Sequence, residues 1–158
     1  SPEVVSVGWD ASMERISTWG RFIYLDSDEQ LVVFNAHLDH RGAESRLQAV
    51  KLIHARAVEI ANGEPFIVMG DLNARPEDPP ITFLSGLLND SYSVTEQPPY
   101  GPFGTFNGFD TSHPLDTRID NIFVNEDIQV QKYGVLSDTE RQRTPSDHLP
   151  VLIHFTMD

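Results

Sequence analysis

Residues 66–73 read FIVMGDLN, in which an apolar half precedes a polar half. Its first half is an apolar run that predicts a buried strand, and we expect Gly70 to turn the backbone sharply where that strand ends. Side chains two apart in an extended chain point to the same side, which predicts that Asp71 and Asn73 present a carboxylate and an amide together. Such a pair suits a hard metal ion and a phosphate oxygen, although Asp and Asn are also typical of an ordinary turn after a strand.

The composition predicts one soluble globular domain. The 158 residues are 39% apolar and 22% charged, and none is cysteine, which excludes disulfides and thiolate metal sites. A net charge of −13 argues against tight nonspecific binding to duplex DNA and is compatible with a cation-dependent site. No stretch approaches the roughly 20 apolar residues of a membrane span, so no membrane partner is expected. These features do not distinguish a cytoplasmic from a secreted protein.

Hydrophobic periodicity predicts a mixture of strands and helices. A hairpin is predicted over residues 16–38, followed by a helix over residues 42–62 that Gly63 is expected to end. Asp78 before two prolines predicts the start of a short helix. Further strands are predicted over residues 118–124, 128–135 and 151–153. Residues 89–115 form a predicted aromatic loop, which either stacks on a ring of the substrate or packs down on the domain.

Three further polar clusters lie at predicted strand ends. They are NAHLDH at residues 35–40, RIDNIFV at residues 118–124 and SDHLPV at residues 146–151. In the first cluster, Asn35, His37 and Asp39 are predicted to share one face of the strand. His37 is then either a site residue or a core histidine held by a neighbour. In the second cluster, Asp120 lies beside apolar residues and requires a partner, because burying a lone charge is costly.

Together the four clusters supply the types of side chain that phosphoester hydrolysis requires. These are Asp71, Asp120, Asp147, Asn73, His37 and His148. A hard divalent ion neutralises phosphate, a histidine backed by a carboxylate activates water or holds phosphoryl oxygens, and an amide positions the nucleophile or the phosphate. The order Ser-Asp-His at residues 146–148 also suggests a serine hydrolase, but the sequence contains no Gly-x-Ser-x-Gly elbow.

The four clusters resemble, in the same order, four motifs of the endonuclease/exonuclease/phosphatase superfamily, which has the fold of DNase I. The resemblance implies an α/β protein with the four-layered α/β/β/α sandwich, of which this chain is the C-terminal part with a mostly antiparallel or mixed sheet. It also implies a Mg²⁺- or Mn²⁺-dependent phosphoester hydrolase, either a nuclease or a phosphatase or phosphodiesterase. The substrate class would be nucleic acid or a small phosphorylated molecule.

The resemblance implies a catalytic role for five of these residues. His148 would be the catalytic histidine, hydrogen-bonded to Asp120, which orients it and supports its charge. Asp71 would bind or align the attacking water, or would ligate a second metal ion. Asn73 and His37 would hold the scissile phosphate. Which of these groups acts as the general base stays open.

The resemblance covers the C-terminal portion of the family fold, so residues 1–158 are expected to form a single partial domain that lacks its N-terminal half. That half normally supplies an early asparagine and a metal-binding glutamate, which are not found here. The resemblance implies that Asp147 ligates the divalent metal ion and that Asp71 can ligate a second one. We expect an exposed apolar patch and weak metal binding as a result. The missing half or a second copy of the chain would complete the site. The alternative function is an inactive fragment that serves as a partner-binding or dimerising module.

Overall fold

The computed structural model describes residues 9–141 and 143–157 of the chain. Its strands and helices agree in type and order with the main predicted elements. In chain order they are β1 (Ser17–Ile23), β2 (Gln30–His37), α1 (Ala43–Ala61), β3 (Phe66–Asp71), α2 (Pro79–Ser85), β4 (Asn89–Asp90), α3 (Ser91–Val94), β5 (Asp120–Val124), β6 (Ile128–Val135) and β7 (Val151–Met157). The prediction of a continuous loop from residue 89 is wrong at its start, because β4 and α3 lie there. None of the helices in these two ranges is both long and apolar enough to cross a membrane.

Two sheets and two main helices form a layered α/β arrangement. The larger sheet has the order β1-β2-β3-β5-β4, and the smaller sheet pairs β6 with β7. Strands β2 and β3 are parallel, whereas the other pairs are antiparallel, so the predicted mixed sheet is confirmed. Helices α1 and α2 cover one face of the larger sheet around Val50, Val68 and Phe123. The opposite face packs against β6 and β7 through residues such as Ile67 and Val130.

Helix α1 is one residue shorter at each end than predicted, with Gly42 and Asn62 as its caps, and its first turn is stabilised from outside the helix. The N-cap residue is Gly42, which has no side chain to offer. The carboxylate of Asp10 accepts hydrogen bonds instead from the backbone N–H groups of Ser45 (2.9 Å) and Glu44 (3.3 Å). These bonds satisfy donors that a helix start leaves unpaired. The helix ends as predicted, because Asn62 and then Gly63 adopt positive φ angles of 51° and 97°.

Asp39 does not share a face with Asn35 and His37, so that prediction is wrong. Strand β2 ends at His37, and the chain then leads to α1 with the side chain of Asp39 buried. Asp39 is 1% exposed, whereas Asn35 and His37 are exposed. Its carboxylate accepts five hydrogen bonds, from Ser12 N, Ser12 Oγ, Met13 N, Arg41 N and Gly42 N. Asp39 therefore anchors the segment before β1 to the start of α1.

Gly70 lies within β3 rather than at a turn after it, which corrects the prediction for this glycine. Its φ angle is +130°, and strand β3 continues to Asp71. A Cβ atom at this position would collide with the carbonyl oxygen of Ala36 in the neighbouring strand β2. Glycine is therefore required here by the close approach of two strands as well as by the backbone angle.

One end of the larger sheet carries an exposed apolar surface. Phe22, Ile23, Tyr24 and Leu25 have exposed side chains, with Leu25 94% exposed. With Leu31 and Val33, they line a shallow groove of about 590 Å³. We refer to these six residues as the β1 groove. The predicted exposed apolar patch is therefore present on this chain.

The smaller sheet differs at its two edges. The outer edge of β6 is occupied by the segment at residues 96–100, in which Glu96 N donates to Val130 O (3.0 Å) and Tyr100 N donates to Tyr133 O (2.9 Å). In the described part of the chain, no strand pairs with the outer edge of β7. Strand β7 therefore presents unpaired backbone groups, which is the usual template for adding a further strand.

Candidate active site

Three of the predicted site residues lie side by side across the larger sheet. The parallel register of β2 and β3 pairs His37 with Asp71, and the antiparallel register of β3 and β5 pairs Asp71 with Asp120. These residues end β2, end β3 and begin β5, respectively, so their side chains meet at one edge of the sheet. His148 arrives from the loop that precedes β7. Residues separated by up to about a hundred positions in sequence are thereby brought into one cluster.

His148 is held between two carboxylates. Its Nδ1 atom lies 2.7 Å from Asp120 Oδ2, and its Nε2 atom lies 3.8 Å from Asp71 Oδ2. One ligand atom each from Asp71, Asp120 and His148 can be chosen so that all lie within 4.8 Å of one another. All three residues are partly buried. The hydrogen bond expected between His148 and Asp120 is therefore present, and one nitrogen of the ring remains directed towards Asp71.

Asp71 is also contacted by His37 and Asn73. His37 Nε2 lies 3.2 Å from Asp71 Oδ2, and the His37 side chain is 60% exposed. Asn73 donates from its amide Nδ2 to Asp71 Oδ2 (3.3 Å) and to Leu38 O (3.0 Å). His37 is thus a surface residue of the site and not a core histidine.

The sequence predicted that Asp71 and Asn73 share one side of an extended chain, and this prediction is wrong. Asn73 has a φ angle of +47°, in the left-handed region. Asp71 Oδ1 accepts a hydrogen bond from Asn73 N at 2.9 Å, which closes a local turn. The two side chains are therefore brought together by a turn that the Asp71 carboxylate itself stabilises.

Asp147 lies next to His148 in sequence but outside the cluster. Its side chain is within 3.5 Å of Ser146 Oγ, and its backbone oxygen accepts from Asn107 N at 2.8 Å. Among the described residues, the group with close ligand atoms contains Asp71, Asp120 and His148. A metal-binding role for Asp147 stays a prediction.

The pKa values of Asp71 and His148 are both raised. For Asp71, burial is the largest cause, and the charge of Asp120 adds to it, outweighing the hydrogen bond from Asn73 N. For His148, burial alone would lower the pKa, but the hydrogen bond and the charge of Asp120 outweigh it, with further contributions from Asp71 and Asp147. The environment therefore favours a protonated imidazole beside a carboxylate that binds a proton more readily than usual.

The loop at residues 104–109 supports the site, and the sequence reasoning missed this. Thr105 is fully buried, and Phe106 packs edge-on against His148, with ring centroids 5.2 Å apart at 74°. Asn107 is 2% exposed and donates from Nδ2 to Ser146 O at 3.2 Å. Two small polar residues, Thr105 and Asn107, flank Phe106 in the sequence, and this pattern could have indicated that the loop is buried beside the site.

Several aromatic side chains of the segment 89–115 pack onto the domain, which is one of its two predicted roles; stacking on a substrate ring stays a prediction. Tyr92 and Phe103 pack over the guanidinium of Arg118, at 4.8 and 5.7 Å from their ring centroids. Arg118 itself forms a buried bidentate ion pair with Asp90, at 3.0 and 2.7 Å. These aromatics therefore pack the loop onto the domain. Phe109 is 65% exposed, so its side chain remains available to a ligand.

The donor atoms of the cluster suit a hard divalent cation. Carboxylate oxygens are the preferred ligands of Mg²⁺ and Mn²⁺, and Asp71 and Asp120 supply them at the same sheet edge. Asp120 Oδ2 is engaged by His148 Nδ1, and Asp71 Oδ1 accepts from Asn73 N, so an ion at the cluster would share these carboxylates with their hydrogen-bond donors. The residues present therefore fit the cation type expected from the sequence.

Comparison with known proteins places this geometry in a family. A sequence profile described as the Endonuclease/Exonuclease/phosphatase family matches residues 3–148. A mannosyl-6-phosphatase of Bacteroides thetaiotaomicron is 36% identical, with a TM-score of 0.85 over 95% of this chain and 60% of that chain. An endonuclease/exonuclease/phosphatase of Bacteroides vulgatus is 28% identical, with a TM-score of 0.89 over 96% and 59% of the two chains. The human Nocturnin catalytic domain shares the fold at 22% identity, with a TM-score of 0.71 over 92% and 54% of the two chains. A search of curated proteins gave no match.

The similarity extends over almost the whole of this chain, but it covers only part of each related chain. The chain spans about 60% of the length of the two bacterial structures. The profile match includes Asp71, Asp120 and His148, the three residues of the central cluster. The chain belongs to the endonuclease/exonuclease/phosphatase family and has its DNase I-like fold.

Proposed function

We propose that this protein is a divalent-metal-dependent phosphoester hydrolase. The observation that carries the proposal is the surrounding of one carboxylate, that of Asp71. Two histidine nitrogens, from His37 and His148, lie at 3.2 and 3.8 Å from its Oδ2 atom, and Asp120 lies behind His148 at 2.7 Å. Such a set provides a proton acceptor beside two imidazoles that can donate hydrogen bonds to a phosphate.

In the proposed reaction, a water molecule held against Asp71 attacks the phosphorus atom. Asp71 accepts the proton of the water as the new oxygen–phosphorus bond forms. The phosphorus–oxygen bond to the alcohol breaks, and the leaving oxygen takes up a proton from solvent. Protonated His148, supported by Asp120, donates a hydrogen bond to a phosphoryl oxygen as negative charge develops there. Asn73 and His37 hold the phosphate during the attack.

A divalent ion completes this proposal. Asp71 is the residue of the cluster that we assign to Mg²⁺ or Mn²⁺, which when bound would neutralise the charge of the phosphate. Asp147, the other ligand that the resemblance implies, lies outside the cluster, so its assignment rests on the resemblance alone. Each carboxylate has two oxygens, so Asp71 can bind an ion and still face the attacking water.

A small phosphorylated molecule is the substrate class that we favour. The net charge of −13 opposes tight binding to a long duplex. The similar structure from Bacteroides thetaiotaomicron is a mannosyl-6-phosphatase, which acts on a phosphate ester of a sugar. Sugar phosphates are therefore the first substrates to test, with short single-stranded nucleic acid as the second class.

The proposed partner is a segment equivalent to the remaining part of the relatives' fold. Two features support it: the outer edge of β7, which pairs with no strand of residues 9–141 and 143–157, and the exposed β1 groove. Added strands would continue the smaller sheet from β7, because an open edge pairs readily. The second candidate function is that of a dimerising module. In that case a second copy of this chain would cover the β1 groove.

The proposed activity is tested by phosphate release from sugar phosphates by the full-length protein with Mg²⁺ or Mn²⁺. We expect His148→Gln to reduce the rate at least about a hundredfold, because the charged ring is lost from the phosphate site. His154→Gln is the matched control, since His154 is an exposed histidine on β7. If wild type releases phosphate and His148→Gln releases it as fast as His154→Gln does, the proposed role of His148 is excluded.

A further inference from the structure

Thr105 connects the two segments that carry His148 and Asp120. Its side chain is fully buried, and its Oγ1 atom accepts hydrogen bonds from Ile119 N and Asp120 N, both at 3.1 Å. The hydroxyl is therefore hydrogen-bonded to the backbone where β5 begins. Since Asp120 sits at that point, the position of its carboxylate depends on this attachment.

The main chain of Thr105 makes the complementary attachment to the loop of His148. Thr105 O accepts from Leu149 N at 2.7 Å, and Thr105 N donates to Thr117 O at 2.9 Å. The next residue, Phe106, forms an isolated β-bridge with His148 and packs its ring against the imidazole. One buried residue thus holds the backbone of Asp120 on one side and the residue after His148 on the other.

The paired side chains are 28 positions apart in sequence, so their 2.7 Å contact requires the two segments to be held in register. We propose that Thr105 is the positioning residue of the His148–Asp120 pair. It acts through the backbone of both segments and touches no reacting atom. Its consequence for catalysis rests on the proposed function, whereas its effect on the pair does not.

The direct test is proton NMR of the ring N–H of His148 that bonds to Asp120. A short N–H···carboxylate bond moves this proton downfield, and its absence in His148→Gln assigns the signal. We expect Thr105→Val, which keeps the shape but loses the acceptor, to abolish the downfield signal or move it upfield. Thr105→Ser, which keeps the hydroxyl, should retain it. Retention of an unchanged signal in Thr105→Val would overturn the proposal.

A second pair of variants decides the matter if Thr105→Val does not fold. Thr105→Ser and Thr105→Ala both remove the methyl group, and they differ in the hydroxyl. The proposal requires the signal in Thr105→Ser and its loss in Thr105→Ala, so equal behaviour of the two overturns it. Ser91→Ala is the matched control, because Ser91 is a fully buried residue whose hydroxyl has no hydrogen-bond partner in the described structure. This control should leave the signal unchanged.

Kinetics of the full-length protein provide an independent measurement. We expect Thr105→Val to lower kcat by about 10- to 100-fold, the range typical of residues that orient a functional group, with little change in KM. Thr105→Ser should restore most of kcat. An effect on KM alone would contradict the positioning role. If wild type hydrolyses no phosphoester, the proposed function fails, while the NMR comparison still tests the position of the pair.

Discussion

Asp39 shows at the scale of a single residue how a buried charge is stabilised by this chain. Burial alone would raise the pKa of Asp39, but the hydrogen bonds from Gly42, Ser12 and Arg41 outweigh it and hold the pKa well below its ordinary value. We expect Asp39→Asn to lower the free energy of unfolding by about 2–4 kcal/mol, because charge-assisted hydrogen bonds are lost and one acceptor becomes a donor. Chemical denaturation measures this loss. Asp138→Asn, the same change at an exposed carboxylate, should have no measurable effect.

The same carboxylate predicts a pH dependence. Because the pKa of Asp39 is lower in the folded state than in the unfolded state, its stabilisation is present above the ordinary carboxyl pKa and is lost as the pH falls. Wild type should therefore lose more free energy of unfolding than Asp39→Asn between about pH 5 and about pH 3. Equal losses in the two proteins would show that Asp39 titrates normally.

Strands β2 and β3 approach closely at Gly70, immediately before the site residue Asp71. A side chain at residue 70 meets the Ala36 carbonyl of β2, in a backbone conformation that L residues rarely adopt. We expect Gly70→Ala to cost at least about 2 kcal/mol in the free energy of unfolding. Gly63→Ala is the matched control, since Gly63 also has a positive φ but has open space around it. That change should cost about 1 kcal/mol. Equal costs would contradict a specific clash with β2.

The strands that carry the site could be predicted, because each is an apolar run with a polar cluster at one of its ends. The contact of His148 with Asp120 was expected from the family resemblance rather than from spacing. The sequence could not show the register that sets His37, Asp71 and Asp120 side by side, because register depends on pairing between distant strands. Nor could it show the burial of Asp39, since alternation along a strand stops where the strand ends.

The whole molecule presents the β1 groove to solvent, and we propose that another polypeptide covers it. Leu25 is its most exposed side chain, at 94%. Burying a leucine contributes about 1.5–3 kcal/mol, so Leu25→Lys should weaken association by about tenfold or more. For self-association, sedimentation or light scattering over a range of concentrations measures the dissociation constant. For the segment equivalent to the remaining part of the relatives' fold, titration with that segment measures it. Leu87→Lys, at an exposed leucine outside the groove, should have no such effect. Association that is insensitive to Leu25→Lys would exclude the groove as the interface.

The most direct test of the proposed hydrolase is the rate of phosphate release by the full-length protein, measured with and without Mg²⁺ or Mn²⁺. Asp71 is the residue to change, because His37, His148 and Asn73 all converge on its carboxylate. We predict metal-dependent release by wild type and a loss of at least about a hundredfold in Asp71→Asn, with the fold retained. No release from any phosphoester by wild type, or full activity in Asp71→Asn, would contradict the proposed site.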